Sequence, residues 1–270
     1  MPELPEVEVT KRALEQKLLQ RRIGSIVIHN PRLRFPIPAE IREAENSVIL
    51  GLSRRSKYIF LKTGTGTMII HLGMTGHIRI DNEGTPLQKH DHYEFFLDGG
   101  EILRYNDPRR FGALLWTTGD PCKLSVIASL GVEPLTDDFT PGYLFSKFRN
   151  RILPVKQALM DNKIVVGVGN IYANEVLFLC KIDPRRPAKS ISLQECTLLV
   201  AEIRDILTRS IMSGGTTIRD YAQVDGKPGY FAGNLRIYGK TGQPCTVCGG
   251  EVQSLRQGQR STFFCSTCQK

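Results

Sequence analysis

Four of the chain's seven cysteines fall in its last 26 residues, as two CxxC turns, Cys245-Thr-Val-Cys248 and Cys265-Ser-Thr-Cys268, separated by sixteen residues. Each turn presents two thiolates to one ion, and four soft sulfur ligands in tetrahedral array suit Zn²⁺. A pair of disulfides and an iron site are the rival uses of the same pattern. A module of about 25 residues cannot bury enough apolar surface to fold unaided, so a bound metal would supply its folding free energy. With sulfur at all four positions such a site is structural and leaves no ligand position for catalysis. Lys240, Arg256, Arg260 and Lys270 surround the turns against a single acid, Glu251, so the finger is expected to face phosphates. A ribbon that only mediates protein contacts is the other reading.

Charge points the same way. The net charge is +9 and the pI near 9.3, and nucleic acid is the commonest acidic partner of such a chain, although a generally basic, soluble surface would give the same numbers. Apolar runs such as Met68 to Ile70 and Ala113 to Trp116 are far too short to span a bilayer, and no lysine-led apolar stretch opens the chain. The expectation is a cytosolic protein, processed only at Met1, with no membrane partner and a single copy as the working unit.

At 270 residues the chain is long enough for two domains. Pro5 to Gln20 is expected to be a helix, with proline in its first turn, Glu6 and Glu8 placed early, and Val7, Leu14 and Leu18 near helical spacing. From Ile23 to about Trp116 short β-rich runs are broken by glycine, proline and asparagine, which suits a β-sandwich or barrel. Beyond a polar stretch at 131–138 the pattern turns helical, in YLFSKFRNR, LPVKQALMDN, NIYANEVLFLC and LQECTLLVAEIRDILTRSI. A boundary is therefore expected near 134–140. The glycine-rich segment from Ser213 reads as a long loop, a class that is usually functional or disordered.

Together the motifs MPELPEVE, HLGMTG (71–76), KHDH (89–92), NDPRRFG (106–112), MDNKIVVGVGNIYANE (160–175), SGGTTIRDY, DGKPGYF and the CxxC pair resemble the bacterial formamidopyrimidine-DNA glycosylases over the whole chain and in order. The resemblance implies an α+β fold of two domains, an N-terminal β-sandwich flanked by helices and a C-terminal helical domain with a helix-two-turn-helix and a four-cysteine zinc finger. Its parts would be a catalytic sandwich domain at 1–134, a helical DNA-binding domain at 135–235 with a lesion-capping loop at 213–231, and the finger at 236–270. It implies excision of oxidised purines, 8-oxoguanine and formamidopyrimidines, from damaged double-stranded DNA, followed by strand cleavage through β,δ-elimination.

The resemblance also assigns residues. After loss of Met1 the secondary amine of Pro2 would attack C1′ and form a Schiff base with DNA. With generic values near 7.8 for a terminal amine and 10.4 for lysine, roughly a third of such an amine is neutral at pH 7.5, against about 0.1% of a lysine side chain. Proline's greater basicity and the neighbouring Glu3 make that advantage an upper bound, which burial and nearby cations must oppose. Glu3 would handle protons at O4′, and Glu6 would hold the terminal segment by accepting backbone hydrogen bonds. Lys57 would act in β-elimination. Arg260 would act in δ-elimination, chiefly as a phosphate ligand, because an always-charged guanidinium is a poor literal acid. Met74, Arg109 and Phe111 would fill the gap left by an extruded base. His90, Arg109, Arg151 and Asn170 would contact DNA, and Asn170 is in addition expected to be a helix N-cap. Cys245, Cys248, Cys265 and Cys268 would hold one structural Zn²⁺. The competing functions are an endonuclease VIII-type glycosylase for oxidised pyrimidines and a noncatalytic zinc-ribbon sensor of DNA damage.

Overall fold

The computed structural model describes residues 2–217 and 223–270, so the processing of Met1 and the 218–222 stretch of the expected capping loop fall outside the described residues. The chain divides into two compact units, Met1–Ala128 with Ile211–Tyr230 and Ser129–Ser210 with Phe231–Lys270.

In the first unit helix α1 (Leu4–Leu18) precedes eight strands: β1 (Ile23–Ile28), β2 (Ile49–Arg55), β3 (Tyr58–Thr63), β4 (Thr67–His71), β5 (His77–Asn82), β6 (Asp91–Leu97), β7 (Glu101–Asn106) and β8 (Ala113–Thr117); a short α2 (Ser125–Ala128) follows. They form two four-stranded sheets, ordered β1-β6-β7-β5 and β2-β3-β4-β8, antiparallel throughout. Ile26, Tyr93, Phe95 and Tyr105 from one sheet and Ile59, Leu61, Met68 and Ile70 from the other share one core, which Val7, Leu14 and Leu18 of α1 complete. Each such buried side chain contributes about 1.5–3 kcal/mol of apolar burial. The expected sandwich is present, and α1 covers part of its core. The helix begins one residue before the expected Pro5 because Glu3 and Glu6 form a capping box, and Pro5 still lies in the first turn. It stops at Leu18 rather than Gln20 because Gln20 takes a left-handed φ of 66° and gives its N–H to Ile49 O.

The second unit holds α3 (Pro141–Phe148), α4 (Val155–Leu159), α5 (Asn170–Leu179), most of α6 (Leu193–Met212), and the hairpin β9 (Gln253–Gln257) and β10 (Arg260–Phe264). Phe139, Leu144, Phe148, Leu159, Tyr172, Val176, Leu199 and Ile203 lie in its main core. Helix α5 is buried from Ile171 to Phe178, as expected of a helix apolar on nearly every face. The expected 153–162 helix shortens to five residues because Asp161 redirects the chain, its side chain accepting Lys163 N–H and its carbonyl accepting Ile164 N–H. The hairpin carries its own small core of Ile237, Cys245, Val252 and Cys265 against Phe178. Among the described residues no helix is long and apolar enough to cross a membrane.

Candidate functional site

Although they open the chain, Pro2 and Glu3 are buried. Glu3 N–H donates to Glu6 Oε2 at 2.8 Å, and the second oxygen, Oε1, accepts Thr216 N–H at 2.8 Å. The Glu6 carboxylate, 1% exposed, thus fastens the terminal segment to the start of the 213–231 loop. The two ends of that loop pair with each other, Tyr230 N–H donating to Ser213 O at 3.1 Å and Gly229 N–H to Thr217 Oγ1 at 2.7 Å. Glycine is required at 229, where a Cβ would overlap the backbone of Gly215.

Lys57 sits in the two-residue turn between β2 and β3, after Ser56 at a left-handed φ of 56°. Arg54 braces this turn against α1, donating through Nε to Glu8 Oε2 at 2.8 Å and through Nη1 to Ser56 O at 2.9 Å. Burial pushes the Glu8 carboxyl up, but hydrogen bonds from Arg12 and Arg54 outweigh it and hold the group below the usual carboxylate range. Across the β3–β4 pair Tyr58 lies 4.8 Å from the His71 ring. Burial, then the charges of Lys57 and Arg34, push His71 down to about 4 against a smaller opposing pull from Asp107. His71 Nδ1 accepts Gly73 N–H at 2.9 Å, which assigns the ring proton to Nε2.

Met74 occupies the tight turn closed by Gly76 N–H to Leu72 O at 2.9 Å. Beside it runs the 107–112 loop, where the Arg109 guanidinium lies 4.8 Å above the centre of the Phe111 ring and Phe111 stays 46% exposed. The two loops touch backbone to backbone: a Cβ on Gly73 would overlap Phe111 and Gly112. The exposed His90 has a left-handed φ of 74° and precedes Asp91, whose carboxylate accepts from Arg79 and Asn106 and from Gln88 N–H. Burial raises the Asp91 pKa, but these partners prevail and bring it to about 2.

Asn170 is not the N-cap that its sequence context suggests. The N-cap is Gly169, and Asn170 is the first helical residue. The side-chain amide of Asn174 donates to Asn170 O at 2.6 Å, which ties residue 170 into the first turn. Arg151 is half-buried and pairs with Asp161 at 3.0 Å. Arg260 is exposed, just past the Gly258–Gln259 turn of the β9–β10 hairpin.

The four cysteine sulfurs lie within 4.8 Å of one another, with Cys245 to Cys268 at 3.9 Å and Cys248 to Cys265 at 3.5 Å. A tetrahedral site with Zn–S near 2.3 Å places its sulfurs about 3.8 Å apart, whereas a disulfide needs about 2.05 Å. The set fits one structural Zn²⁺ and excludes the disulfide alternative.

Several residues with structural duties at the site were not singled out from sequence. Asn174 Oδ1 accepts Phe263 N–H of β10 at 2.8 Å, and the Glu175 carboxylate accepts the N–H groups of Arg236, Ile237 and Tyr238 at 2.8 to 2.9 Å. Lys156, 1% exposed, donates to Ser261 O and Thr262 Oγ1, both at 2.8 Å. Asp107, fully buried, joins the Met74 and Phe111 loops. For Asn174 and Glu175 a signal was available, two polar residues inside a run whose other members pattern as core.

The chain is similar to known proteins over its whole length. Three family domains match in order: the formamidopyrimidine-DNA glycosylase N-terminal domain at residues 1–114, the formamidopyrimidine-DNA glycosylase H2TH domain at 130–222, and the zinc finger found in FPG and IleRS at 242–270. The formamidopyrimidine-DNA glycosylase of Vibrio atlanticus (strain LGP32) is 50% identical over 269 residues, covering 100% of both chains. That of Yersinia enterocolitica is 51% identical over 269 residues, again covering 100% of each. Among solved structures, MutM (Fpg) from Thermus thermophilus superposes with a TM-score of 0.90 at 36% identity, covering 99% of this chain and 98% of the other. Wild-type Lactococcus lactis Fpg in complex with N7-benzyl-Fapy-dG DNA gives 0.93 at 34% identity, with 100% of both chains covered.

Proposed function

This chain belongs to the formamidopyrimidine-DNA glycosylase family, and we propose that it excises oxidised purines from double-stranded DNA in base-excision repair and then cleaves the strand as an abasic-site lyase. The observation that carries the reading is the buried, hydrogen-bonded state of the terminal segment. A tail would fray, whereas Pro2 and Glu3 are buried, and Glu6 holds the Glu3 N–H together with the root of the 213–231 loop. Such a held segment supports a role in a site.

In this proposal the secondary amine of Pro2 forms a bond to C1′ as the glycosidic bond breaks, and the base departs with the bonding electrons and a proton. Glu3 delivers a proton to O4′ as the deoxyribose ring opens, leaving a cationic iminium that needs no further protonation. Loss of the C2′ proton expels the 3′ phosphate, and a second elimination expels the 5′ phosphate. Lys57 serves the first elimination, and Arg260 binds phosphate and stabilises the charge released in the second. Met74, Arg109 and Phe111 fill the stack. His90, Arg151 and Asn170 hold the backbone, the last at the positive end of the α5 dipole. The working division is a catalytic domain at 1–134, a DNA-binding domain at 135–235 and a finger at 236–270, in a single cytosolic copy.

Borohydride reduction in the presence of 8-oxoguanine or abasic duplex tests the chemistry. A covalent complex is expected, with the DNA mapped to Pro2 and absent from Pro2→Gly. Trapping that survives Pro2→Gly and vanishes in Lys57→Ala would show that the nucleophile is misassigned. Faster excision of thymine glycol than of 8-oxoguanine opposite cytosine would move the enzyme to the oxidised-pyrimidine branch.

A further inference from the structure

We propose that Asp107 is the positioning residue that locks the Met74 turn, the Arg109–Phe111 loop and His90 into one preassembled wedge; the inference rests on the gap-filling role proposed for Met74, Arg109 and Phe111. Asp107 is 0% exposed, and both of its carboxylate oxygens are used. Oδ1 accepts the Thr75 hydroxyl at 2.6 Å and Arg109 N–H at 3.2 Å. Oδ2 accepts Gly112 N–H at 2.9 Å and the Tyr105 hydroxyl at 3.2 Å. Thr75 follows Met74, and Arg109 N–H and Gly112 N–H bracket Phe111, so one carboxylate fixes the backbone on both sides of the aromatic ring and next to the methionine.

The backbone of the same residue extends the connection. Asp107 N–H donates to His90 O at 3.1 Å, and its carbonyl is 2.7 Å from His92 Nε2. A side chain able to push into a base stack must stand on a base that does not yield. Phe111 is nearly half exposed, so its own packing cannot provide that rigidity. The hydrogen bonds to Asp107 are sheltered from water and are made before DNA arrives, which lowers the ordering cost at insertion.

Asparagine is nearly isosteric with aspartate but cannot replace it here. Whichever way its amide is turned, the NH₂ group faces a backbone N–H, that of Arg109 on one side or of Gly112 on the other. Turned toward Gly112, the NH₂ group leaves that buried N–H without an acceptor; turned toward Arg109, whose N–H still reaches Thr75 Oγ1 at 3.3 Å, it leaves the Thr75 hydroxyl without its acceptor, and either way the loops loosen.

The test separates insertion from chemistry. Asp107→Asn is compared with the parent by stopped-flow fluorescence of 2-aminopurine placed beside 8-oxoguanine in a duplex, and by borohydride trapping on a single-stranded abasic oligonucleotide, where no stack needs to be entered. Insertion is expected to slow about tenfold or more, the scale set by one unsatisfied buried donor, while single-strand trapping keeps its parental rate. Thr75→Val, which removes one donor to the carboxylate and the second acceptor of Arg109 N–H but leaves the carboxylate in place, is expected to shift insertion in the same direction by less, and it carries the test if Asp107→Asn does not fold. Insertion at the parental rate in both variants, or a parallel fall in insertion and single-strand trapping, overturns the proposal. Met74→Ala and Phe111→Ala distinguish the two levels: if they leave the fluorescence change intact, the wedge reading fails and this inference with it. If they abolish it while the Asp107 and Thr75 variants do not slow it, only the role of Asp107 is lost.

Discussion

Two β-hairpin turns carry the basic residues proposed for the two elimination steps, and they are braced by different means. Lys57 lies in the Ser56–Lys57 turn and Arg260 just beyond the Gly258–Gln259 turn. Both turns hold a left-handed residue, Ser56 at φ 56° and Gly258 at φ 58°. The first grows from a sheet whose Ile59 and Leu61 are 0% exposed, and Arg54 ties it to α1. The second grows from a hairpin with a core of a few side chains, two of them metal ligands. Its remaining supports are buried polar groups on the helices of its own unit, Lys156 on α4 and Asn174 on α5. Equivalent turn geometry thus rests on an intrinsic core in one unit and on a conditional one in the other, and the two should fail under different challenges.

The largest expected effect separates them outright. Chelation of the metal, or Cys265→Ser, should unfold the finger, because little other free energy holds so small a module together. Incision of 8-oxoguanine duplex is expected to fall by more than about 100-fold, since the phosphate contacts proposed for the finger and the placement of Arg260 go with it. The thermal transition of the sandwich unit should remain, observable as retained β-type circular dichroism. Full incision activity in protein shown by metal analysis to be zinc-free would remove the distinction between the two turns.

Acid challenges the other turn. The folded His71 is held near 4, below the unfolded value of about 6.5, so the unfolded chain binds the proton first. Its contribution is complete above about pH 6.5 and is lost as pH falls toward 4, up to about 3 kcal/mol in all. Protonation would also cost the Gly73 N–H its acceptor at Nδ1. Denaturant titrations of the sandwich unit between pH 7 and pH 4 should show this slope, and His71→Asn should flatten it. An identical slope in the variant would assign the acid sensitivity to other groups.

How far each brace could be read from sequence follows from where its information lies. The CxxC spacing states its own geometry, because metal coordination constrains neighbouring residues in the chain, and the four sulfurs lie together as expected. The sandwich follows from short β-rich runs broken by glycine, proline and asparagine. Asp107 and Lys156 could not be recognised by such means. Asp107 reaches Thr75, 32 positions earlier, and Lys156 reaches Thr262, 106 positions later, and neither partner has a distinctive local pattern. A buried charge is identified by the donors or acceptors that surround it, which only the fold assembles. The Asn170 discrepancy has the opposite origin: the GVGN pattern marks a helix start correctly, but the capping geometry moves by one residue to Gly169.

Removal of the buried lysine is expected to have a smaller effect, confined to the finger. Lys156 Nζ serves Thr262 Oγ1, which donates to Gln257 Oε1 at 2.8 Å, and Gln257 Nε2 donates to Pro184 O at 3.1 Å. This relay crosses the hairpin just below the turn that carries Arg260, beside a cavity of about 290 Å³ lined by Gln157, Met160 and Gln259 among others. Lys156→Met keeps most of the stem volume but removes the donor from Ser261 O and Thr262 Oγ1, at a cost of about 1–3 kcal/mol. Because finger stability and metal retention are linked, that loss should appear as release of zinc to a chelator about tenfold faster, with the unfolding of the sandwich unit unmoved. Release at the parental rate would mean that the cysteines and Asn174 suffice to hold the hairpin, and that the metal alone separates the two turns.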